Sequence, residues 1–320
     1  HCTKMDRRRK TEQLKIFNFS NRTTMNYQRY ILSFFLAVCT LPSFAQDEAD
    51  KILAEAETKE KAYTIATFKT TRVINFHTIE TCGKRTLDFR IAHRFGAINS
   101  GAYNLWGIDG GASIRLGLEY SYDGRLMVGI GRSNVGKMFD GFAKYRLLRQ
   151  TEDNSMPLSV TLFSGMYYTG IKDPLKSSTG FDRYEKSYSR MSFVHQAIVG
   201  RKFGEKLSLQ VAPWFVHYNQ VEGILDGNDM FGVAGALRYK ITRSMAITAE
   251  YAFRANDYSD RDYYDSFGLG FEIETGGHVF QMHVTNSFGL SENQFLPYTD
   301  TKWGDGGIRI GFNISRVFTI

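Results

Sequence analysis

The last stretch of the chain, WGDGGIRIGFNISRVFTI, limits the possible folds more than any other segment. From Ile308 to Ile320 apolar side chains alternate with Arg, Gly, Asn, Ser and Thr, and Arg316 is the one break on the apolar face. A period of two is typical of a β-strand, because successive side chains point to opposite sides of a sheet. The stretch therefore predicts a C-terminal strand with one apolar and one polar face.

The same alternation recurs in about twelve segments from Thr86 onward. In the first, Leu87, Phe89 and Ile91 alternate with Asp88 and Arg90. The connections alternate between short ones, such as residues 123–124 and 241–244, and long polar ones, such as residues 96–111 and 286–306. Outer-membrane barrels have short periplasmic turns, longer outer loops and an apolar face toward lipid. We therefore predict an all-β fold, a transmembrane antiparallel up-and-down β-barrel of about 12 strands over residues 86–320, located in the cell outer membrane.

The segment before the barrel has the features of a secreted precursor. Residues 25–45 resemble a signal peptide, with Arg29 before an apolar run and Ser43-Phe44-Ala45 before the expected cleavage site. A lipoprotein signal ending at Cys39 is the less favoured alternative, because a small residue is expected where Val38 stands. We expect residues 1–24 to be a non-native upstream extension and residues 46–85 a helical or mobile periplasmic leader. Whether this leader plugs the barrel is left open by the sequence.

Net charge gives no support for a nucleic-acid partner. The chain has a formal charge of +7, but residues 1–45 contain eight Lys and Arg against two Asp and Glu, so the expected mature chain is close to neutral. Cys82 is the one cysteine in residues 46–320, which excludes an intrachain disulfide there.

The barrel segments resemble an uncharacterised family of outer-membrane β-barrels from Bacteroidetes-type bacteria, classed as a domain of unknown function. The resemblance extends from about Glu80 to the C-terminus, and the long loops depart most from it. It implies the barrel fold and the outer-membrane location and carries over no site residue. The stretches that carry it are ETCGKRTLDFRIAHRFG, IRLGLEYSYDGRLMVGIGRS, DGFAKYRLLRQ, RKFGEKLSLQ, FEIETGGHVFQMHVTNS and KWGDGGIRIGFNISRVFTI.

No residue pattern predicts catalysis, a metal site or a cofactor. The run from His283 to Ser287 is weakly similar to the active-site region of outer-membrane phospholipases, but no Ser motif precedes it and His283 is expected to face the lumen. The histidines lack close ligand spacing, and the acidic loops at residues 226–229 and 257–265 do not follow a calcium-loop pattern.

Charged side chains on the polar faces of the strands are predicted to point into the lumen. They could form a charged pathway that selects small solutes, or a salt-bridged interior that stiffens a closed barrel. These lumen or pore-lining candidates are Arg90, Arg94, Arg115, Glu119, Lys144, Arg146, Arg238, Glu250, Glu272, Glu274, His283 and Arg309.

The sequence thus favours a non-enzymatic outer-membrane barrel, either a narrow pore for small solutes or a structural or adaptor barrel. The alternatives are a lipid-modifying outer-membrane enzyme and a soluble secreted β-barrel with an apolar ligand inside. The expected partners are outer-membrane lipid, the barrel assembly machinery through the C-terminal strand, and protein partners that the sequence does not identify.

Overall fold

The computed structural model describes residues 62–173, 184–221, 227–256 and 262–320. It confirms the all-β prediction, because the described residues form a closed barrel of twelve antiparallel strands. The strands are β1 (Thr86–Ala97), β2 (Ser113–Ser121), β3 (Leu126–Ser133), β4 (Met138–Leu148), β5 (Ser159–Thr169), β6 (Met191–Phe203), β7 (Leu207–Tyr218), β8 (Asp229–Lys240), β9 (Met245–Arg254), β10 (Ser266–Thr275), β11 (His278–Thr285) and β12 (Arg309–Thr319). One short α-helix, α1 (Glu292–Phe295), lies between β11 and β12. Short 3-10 helices cover Ile98–Ser100, Ala102–Gly107, Val135–Lys137, Ser187–Arg190 and Trp303–Asp305.

Each strand pairs with its neighbours in sequence, and β1 closes the sheet on β12 with Ile91 opposite Ile314. Closure leaves no edge strand with unpaired N–H and C=O groups, and such groups are costly where lipid replaces water. The predicted β12 thus occupies the closing position.

Strands β1–β12 are called the wall. Its outer face is apolar and its inner face is polar, as the alternation predicts. On β2, Ile114, Leu116 and Leu118 are exposed on the outer face, whereas Arg115 and Glu119 are buried on the inner face. An apolar outer surface is favourable only where lipid tails cover it. The interior surrounded by the wall is called the lumen below.

The connections at one end of the barrel are short except for residues 149–158, and those at the other end are long except for residues 134–137. We call the end with the short connections, where β1 starts and β12 stops, the turn end, and the opposite end the loop end. At the turn end, the Asp123 carboxylate accepts the N–H groups of Arg125 (2.8 Å) and Leu126 (2.7 Å), and these bonds lower the pKa of Asp123. Gly124 has φ +83°, a conformation that glycine adopts without strain. The hairpin predicted at Asp123-Gly124 is therefore present.

Residues 62–85 differ from the predicted periplasmic leader. From Thr67 to Cys82 most side chains are buried inside the barrel. The physical reason is that Val73, Ile74, Phe76 and Ile79 are apolar and need a covered surface, which the lumen supplies. Residues 47–61, predicted as helical or mobile, lie outside the described residues.

Among the helices of the described ranges, none has the length and apolar character needed to cross a membrane.

Candidate functional site

Two segments fill the lumen, one from each end of the barrel. The first, residues 67–82, is called the plug, and the second, residues 286–302 including α1, is called the lumen loop. Leu290, Phe295 and Leu296 of the lumen loop are each at most 3% exposed. The interior of a barrel grows with strand number, and about eight strands leave just enough room for wall side chains. Twelve strands leave a wider interior, which these two segments occupy.

The plug is a tight hairpin. The Val73 N–H donates to the Phe76 carbonyl (2.8 Å) and the Thr78 N–H donates to the Thr71 carbonyl (2.9 Å). Such a turn pairs part of its own backbone, so only the remaining N–H and C=O groups need partners from the wall.

Aromatic contacts pack the plug against the lumen loop and the wall. The Phe76 and Phe295 rings stack with centroids 5.3 Å apart, which joins the two segments. The His77 ring lies 4.7 Å from the Phe142 ring and 4.3 Å from the Phe163 ring, both on the wall. The centre of the lumen is thus packed like the core of a soluble protein.

Glu250 of β9 holds the tip of the plug hairpin. Its carboxylate accepts the backbone N–H groups of Ile74 (3.1 Å), Asn75 (2.9 Å to each oxygen) and Phe76 (3.1 Å). All four residues are buried. Three consecutive N–H groups directed at one anion form a specific, charge-assisted contact between plug and wall.

Glu292 of the lumen loop is the second centre of contacts. It forms an ion pair with Arg72 of the plug, and its other oxygen accepts the Tyr167 hydroxyl at 2.6 Å. His77 Nε2 lies 3.3 Å from Glu292 Oε1. One carboxylate therefore connects the plug, the lumen loop and β5.

Toward the turn end, cations of β4 hold the last part of the plug. Lys144 Nζ donates to the Glu80 carbonyl (2.6 Å), and Arg146 pairs with the Glu80 carboxylate (3.1 Å). The Thr81 hydroxyl donates to the Gly124 carbonyl (2.6 Å). This part of the plug is fixed to the wall beside the turn between β2 and β3.

Neutral side chains of the remaining wall satisfy the plug carbonyls. Gln210 Nε2 donates to the His77 carbonyl (2.8 Å), and the Thr161 hydroxyl donates to the Ile79 carbonyl (2.7 Å). Gln281 Nε2 donates to the Val73 carbonyl (2.6 Å), while Asn313 Nδ2 donates to the Ile74 carbonyl (2.9 Å). The polar contacts thus encircle the plug from β5 to β12.

The structure places eleven of the twelve predicted lumen residues at buried positions on the inner face. Glu274 is about one-third exposed and pairs with Lys69 (2.6 Å). On the inner face, Arg115 of β2 pairs with Asp140 of β4, and Arg238 of β8 pairs with Glu272 of β10. The buried residues are Arg90, Arg94, Arg115, Glu119, Lys144, Arg146, Arg238, Glu250, Glu272, His283 and Arg309.

Several contact residues were not among the predicted candidates. Arg72, Glu80 and Glu292 belong to segments outside the strands, where no period indicates an orientation. Gly268 and Gly270 on the inner face were a sequence signal for the position of the plug. A Cβ at either position would lie 3.1 Å from Ile74 Cδ1. Inner-face glycines mark where a further segment approaches the wall.

His283 and Ser287 do not come together as a base and a nucleophile. The Ser287 hydroxyl lies 2.5 Å from the Ser266 hydroxyl and 3.2 Å from that of Thr299, whereas neither His283 ring nitrogen has a hydrogen-bond partner in the described ranges. No group of three or more His, Cys, Asp or Glu side chains that could hold a metal occurs among the described residues. Residue 226 of the first acidic run and residues 257–261 of the second lie outside the described residues.

Solved structures with a similar fold include two porins and a phospholipase. The NanC porin has a TM-score of 0.45 at 10% identity, with 73% of this chain and 99% of that chain covered. The KdgM porin has a TM-score of 0.43 at 8% identity and the same two coverages. Outer membrane phospholipase A from Escherichia coli has a TM-score of 0.42 at 12% identity, with 72% of this chain and 92% of that chain covered.

No curated protein matches the sequence. The family comparison matches residues 68–318, which include nearly all of the plug, the wall and the lumen loop. The chain therefore belongs to DUF5777, the family described as a membrane bound beta barrel domain.

Proposed function

We propose that this chain is an outer-membrane β-barrel without catalytic activity whose lumen is closed by its own plug and lumen loop, and that it acts as a structural or adaptor barrel. The observation that carries the proposal is the direct contact of the two filling segments through Arg72 and Glu292 and through Phe76 and Phe295. A solute on the barrel axis would have to separate these side chains.

The small size of one cavity between the plug, the wall and the lumen loop supports closure. A cavity among them, lined by Arg72, Arg94 and Arg115 and by neighbouring residues, has a volume of about 10 Å³. A cavity of this size holds about one water molecule. It does not admit a sugar, a peptide or a hydrated ion.

A gated small-solute pore is the second candidate, and the polar character of the plug–wall contacts favours it. Glu250, Lys144 and Gln210 hold the plug by hydrogen bonds that water can replace. A plug that never moved could have been held by apolar packing alone. In this alternative the plug is the gate.

The outer-membrane location and the partners are part of the proposal. The apolar outer face fits membrane lipid, and β12 ends the barrel in a strand that carries Ile310 and Phe318 on its outer side. We propose that the barrel assembly machinery of a Gram-negative, Bacteroidetes-type bacterium recognises this strand after the signal peptide is removed. An adaptor would engage its protein partner outside the lumen.

Planar-bilayer conductance tests the proposal. Residues 46–320 are refolded beside a variant that lacks residues 67–80, and folding of both is checked by the heat-dependent shift in electrophoretic mobility. We expect the full protein to be silent and the deletion variant to give steady conductance steps. Steady conductance of the full protein would refute the closed barrel. Fatty-acid release from the same lipid would instead support the enzyme alternative.

The two candidates differ in how the full protein responds to voltage. A gate held by charges is displaced by an applied potential, so a gated pore would open in bursts whose frequency rises with voltage. A structural barrel stays silent at every voltage that the bilayer tolerates. Glu250→Ala, which removes the acceptor for three plug N–H groups, would make the bursts more frequent in a gated pore.

A further inference from the structure

An open cleft lies on the outer side of the barrel near the loop end, and we call it the aromatic cleft. Its lining includes the side chains of Tyr251, Tyr264, Phe267 and Trp303, together with that of Lys302. Its volume is about 390 Å³. Sites for small-molecule ligands have volumes of about 300–1,000 Å³ and are lined mainly by apolar and aromatic side chains. The aromatic cleft therefore has the size and lining of a ligand site.

The aromatic cleft belongs to the apolar outer face of the wall. Tyr251 of β9 and Phe267 of β10 lie opposite each other in the sheet, in the outward phase of their strands. Exposed Phe253 lies two residues nearer the loop end than Tyr251, and exposed Leu269 lies two residues nearer the turn end than Phe267. The cleft is thus flanked by lipid-facing side chains at both levels.

Hydrogen bonds between three segments of the chain fix the walls of the aromatic cleft. The Trp303 ring lies 4.9 Å from the Phe267 ring, and Trp303 Nε1 donates to the Phe267 carbonyl (3.3 Å). Asn286 Nδ2 donates to the carbonyls of Asp265 and Thr301 (2.9 Å each). A cleft that is formed before its ligand arrives loses little conformational entropy on binding.

The polar side chains that line the aromatic cleft already have partners. The Asp265 carboxylate accepts the Tyr251 hydroxyl and the Arg254 backbone N–H (3.1 Å). The amide oxygen of Asn286 accepts the Phe267 N–H (2.8 Å). A sugar or a peptide would bring polar groups that these engaged side chains do not satisfy, whereas an acyl chain needs only the aromatic rings.

Lys302 is the one cation among the residues that line the aromatic cleft. Its ammonium lies 5.8 Å from the centre of the Tyr264 ring. Within the described ranges it forms no ion pair, and this includes its neighbours in sequence Asp300 and Asp305. A lysine at a membrane surface attracts anionic headgroups and keeps its charge in the headgroup layer.

We propose that the aromatic cleft binds one anionic phospholipid, with an acyl chain against the aromatic rings and the phosphate beside Lys302. The rest of the outer face offers lipid an open surface, whereas the cleft offers a preformed volume and a charge. The inference rests on the proposed location of the wall in a membrane. It is independent of whether the barrel is closed or gated.

Quenching of tryptophan fluorescence by brominated acyl chains tests the site. Residues 46–320 with Trp106→Phe are refolded into phosphatidylcholine vesicles that contain an increasing fraction of phosphatidylglycerol with brominated acyl chains. Emission then comes from Trp303 and from Trp214, which is 3% exposed on the inner face. Trp303→Phe should abolish the quenching. Quenching that persists in Trp303→Phe would come from Trp214 and would overturn the site.

The selectivity for an anionic headgroup gives the expected magnitude. One lysine near an anionic lipid surface favours binding by about fivefold. Half-maximal quenching should therefore occur at a mole fraction of roughly one-sixth for brominated phosphatidylglycerol and about one-half for brominated phosphatidylcholine. Lys302→Gln should move the phosphatidylglycerol value to about one-half. Lys137→Gln, which removes another exposed lysine at the loop end, should leave it unchanged.

Failure of the site and failure of the membrane location give different results. Half-maximal quenching at the same mole fraction for both brominated lipids would overturn the site and leave ordinary contact between lipid and the wall. Absence of quenching at every mole fraction, in protein that retains its heat-dependent shift in mobility, would overturn both the site and the proposed location of the wall in lipid.

Discussion

Removal of the Glu250 carboxylate should release the plug from the wall. In Glu250→Ala, the N–H groups of Ile74, Asn75 and Phe76 lose their acceptor while remaining buried. A hydrogen bond to a charged group contributes about 1.5–3 kcal/mol, and three such bonds are lost. Water entering the vacated space offsets part of this loss, so we expect the plugged state to lose about 4 kcal/mol.

A loss of about 4 kcal/mol corresponds to a roughly 1,000-fold larger population of the released plug. Cysteine labelling measures this population. Val73, 1% exposed and next to the three N–H groups, is replaced by Val73→Cys in a Cys82→Ser background, and maleimide labelling of the folded protein is timed. We expect the labelling rate to rise by up to about 1,000-fold when Glu250→Ala is added.

Glu274→Ala is the matched control, because Glu274 also binds the plug through a carboxylate. The side chains of Lys69 and Glu274, which form this ion pair, are each about one-third exposed. Exposed ion pairs of this kind contribute about 0–1 kcal/mol to stability. Labelling should therefore change by less than roughly tenfold. An unchanged labelling rate in a folded Glu250→Ala protein would show that the three N–H bonds do not hold the plug.

Three further predictions concern other parts of the barrel. Glu292→Ala leaves Arg72 without its nearest carboxylate, and the loss of one partner of a buried ion pair costs about 3–5 kcal/mol, so the unfolding midpoint should fall; an unchanged midpoint would contradict the central role of Glu292. Burial raises the pKa of the Cys82 thiol, so at pH 8 maleimide should label native protein far more slowly than urea-unfolded protein; equal rates would show an exposed thiol. Leu118→Arg places a charge on the lipid face at the middle of β2 and should cost about 2–4 kcal/mol in assembly into vesicles, whereas Tyr122→Arg at the turn end should be tolerated; equal yields would argue against a lipid-covered outer face.

The wall could be predicted from the sequence because apolar and polar side chains alternate along each strand. The alternation places Leu118 on the lipid face and Glu119 on the lumen face without any knowledge of their neighbours in space. Closure of the sheet then follows, because an edge strand in lipid would leave backbone N–H and C=O groups unpaired. The charged lumen residues are found in the same way, since they occupy the polar phase of the strands.

The filling of the lumen could not be predicted by that rule. The plug is a bent segment without a sustained period, so nothing in TTRVINFHTIE indicates which side chains meet the wall. The lumen loop has the composition of a solvated outer loop, yet Phe295 and Leu296 are buried because the lumen is too wide for wall side chains alone. Both placements depend on contacts between residues far apart in sequence, which a local pattern does not contain.

The order in which the barrel can assemble follows from the Arg72–Glu292 pair. These residues are 220 positions apart, and the seam between β1 and β12 joins the two ends of the wall. Contacts between such distant positions form late, because the intervening chain must first be ordered. The plug precedes β1 and the lumen loop precedes β12. A sheet that has not yet formed β12 therefore has an open seam between its first and last strands, and its lumen lacks the packed lumen loop. Sealing the seam and completing the interior are thus one event at the end of folding, and loss of the last strand removes both.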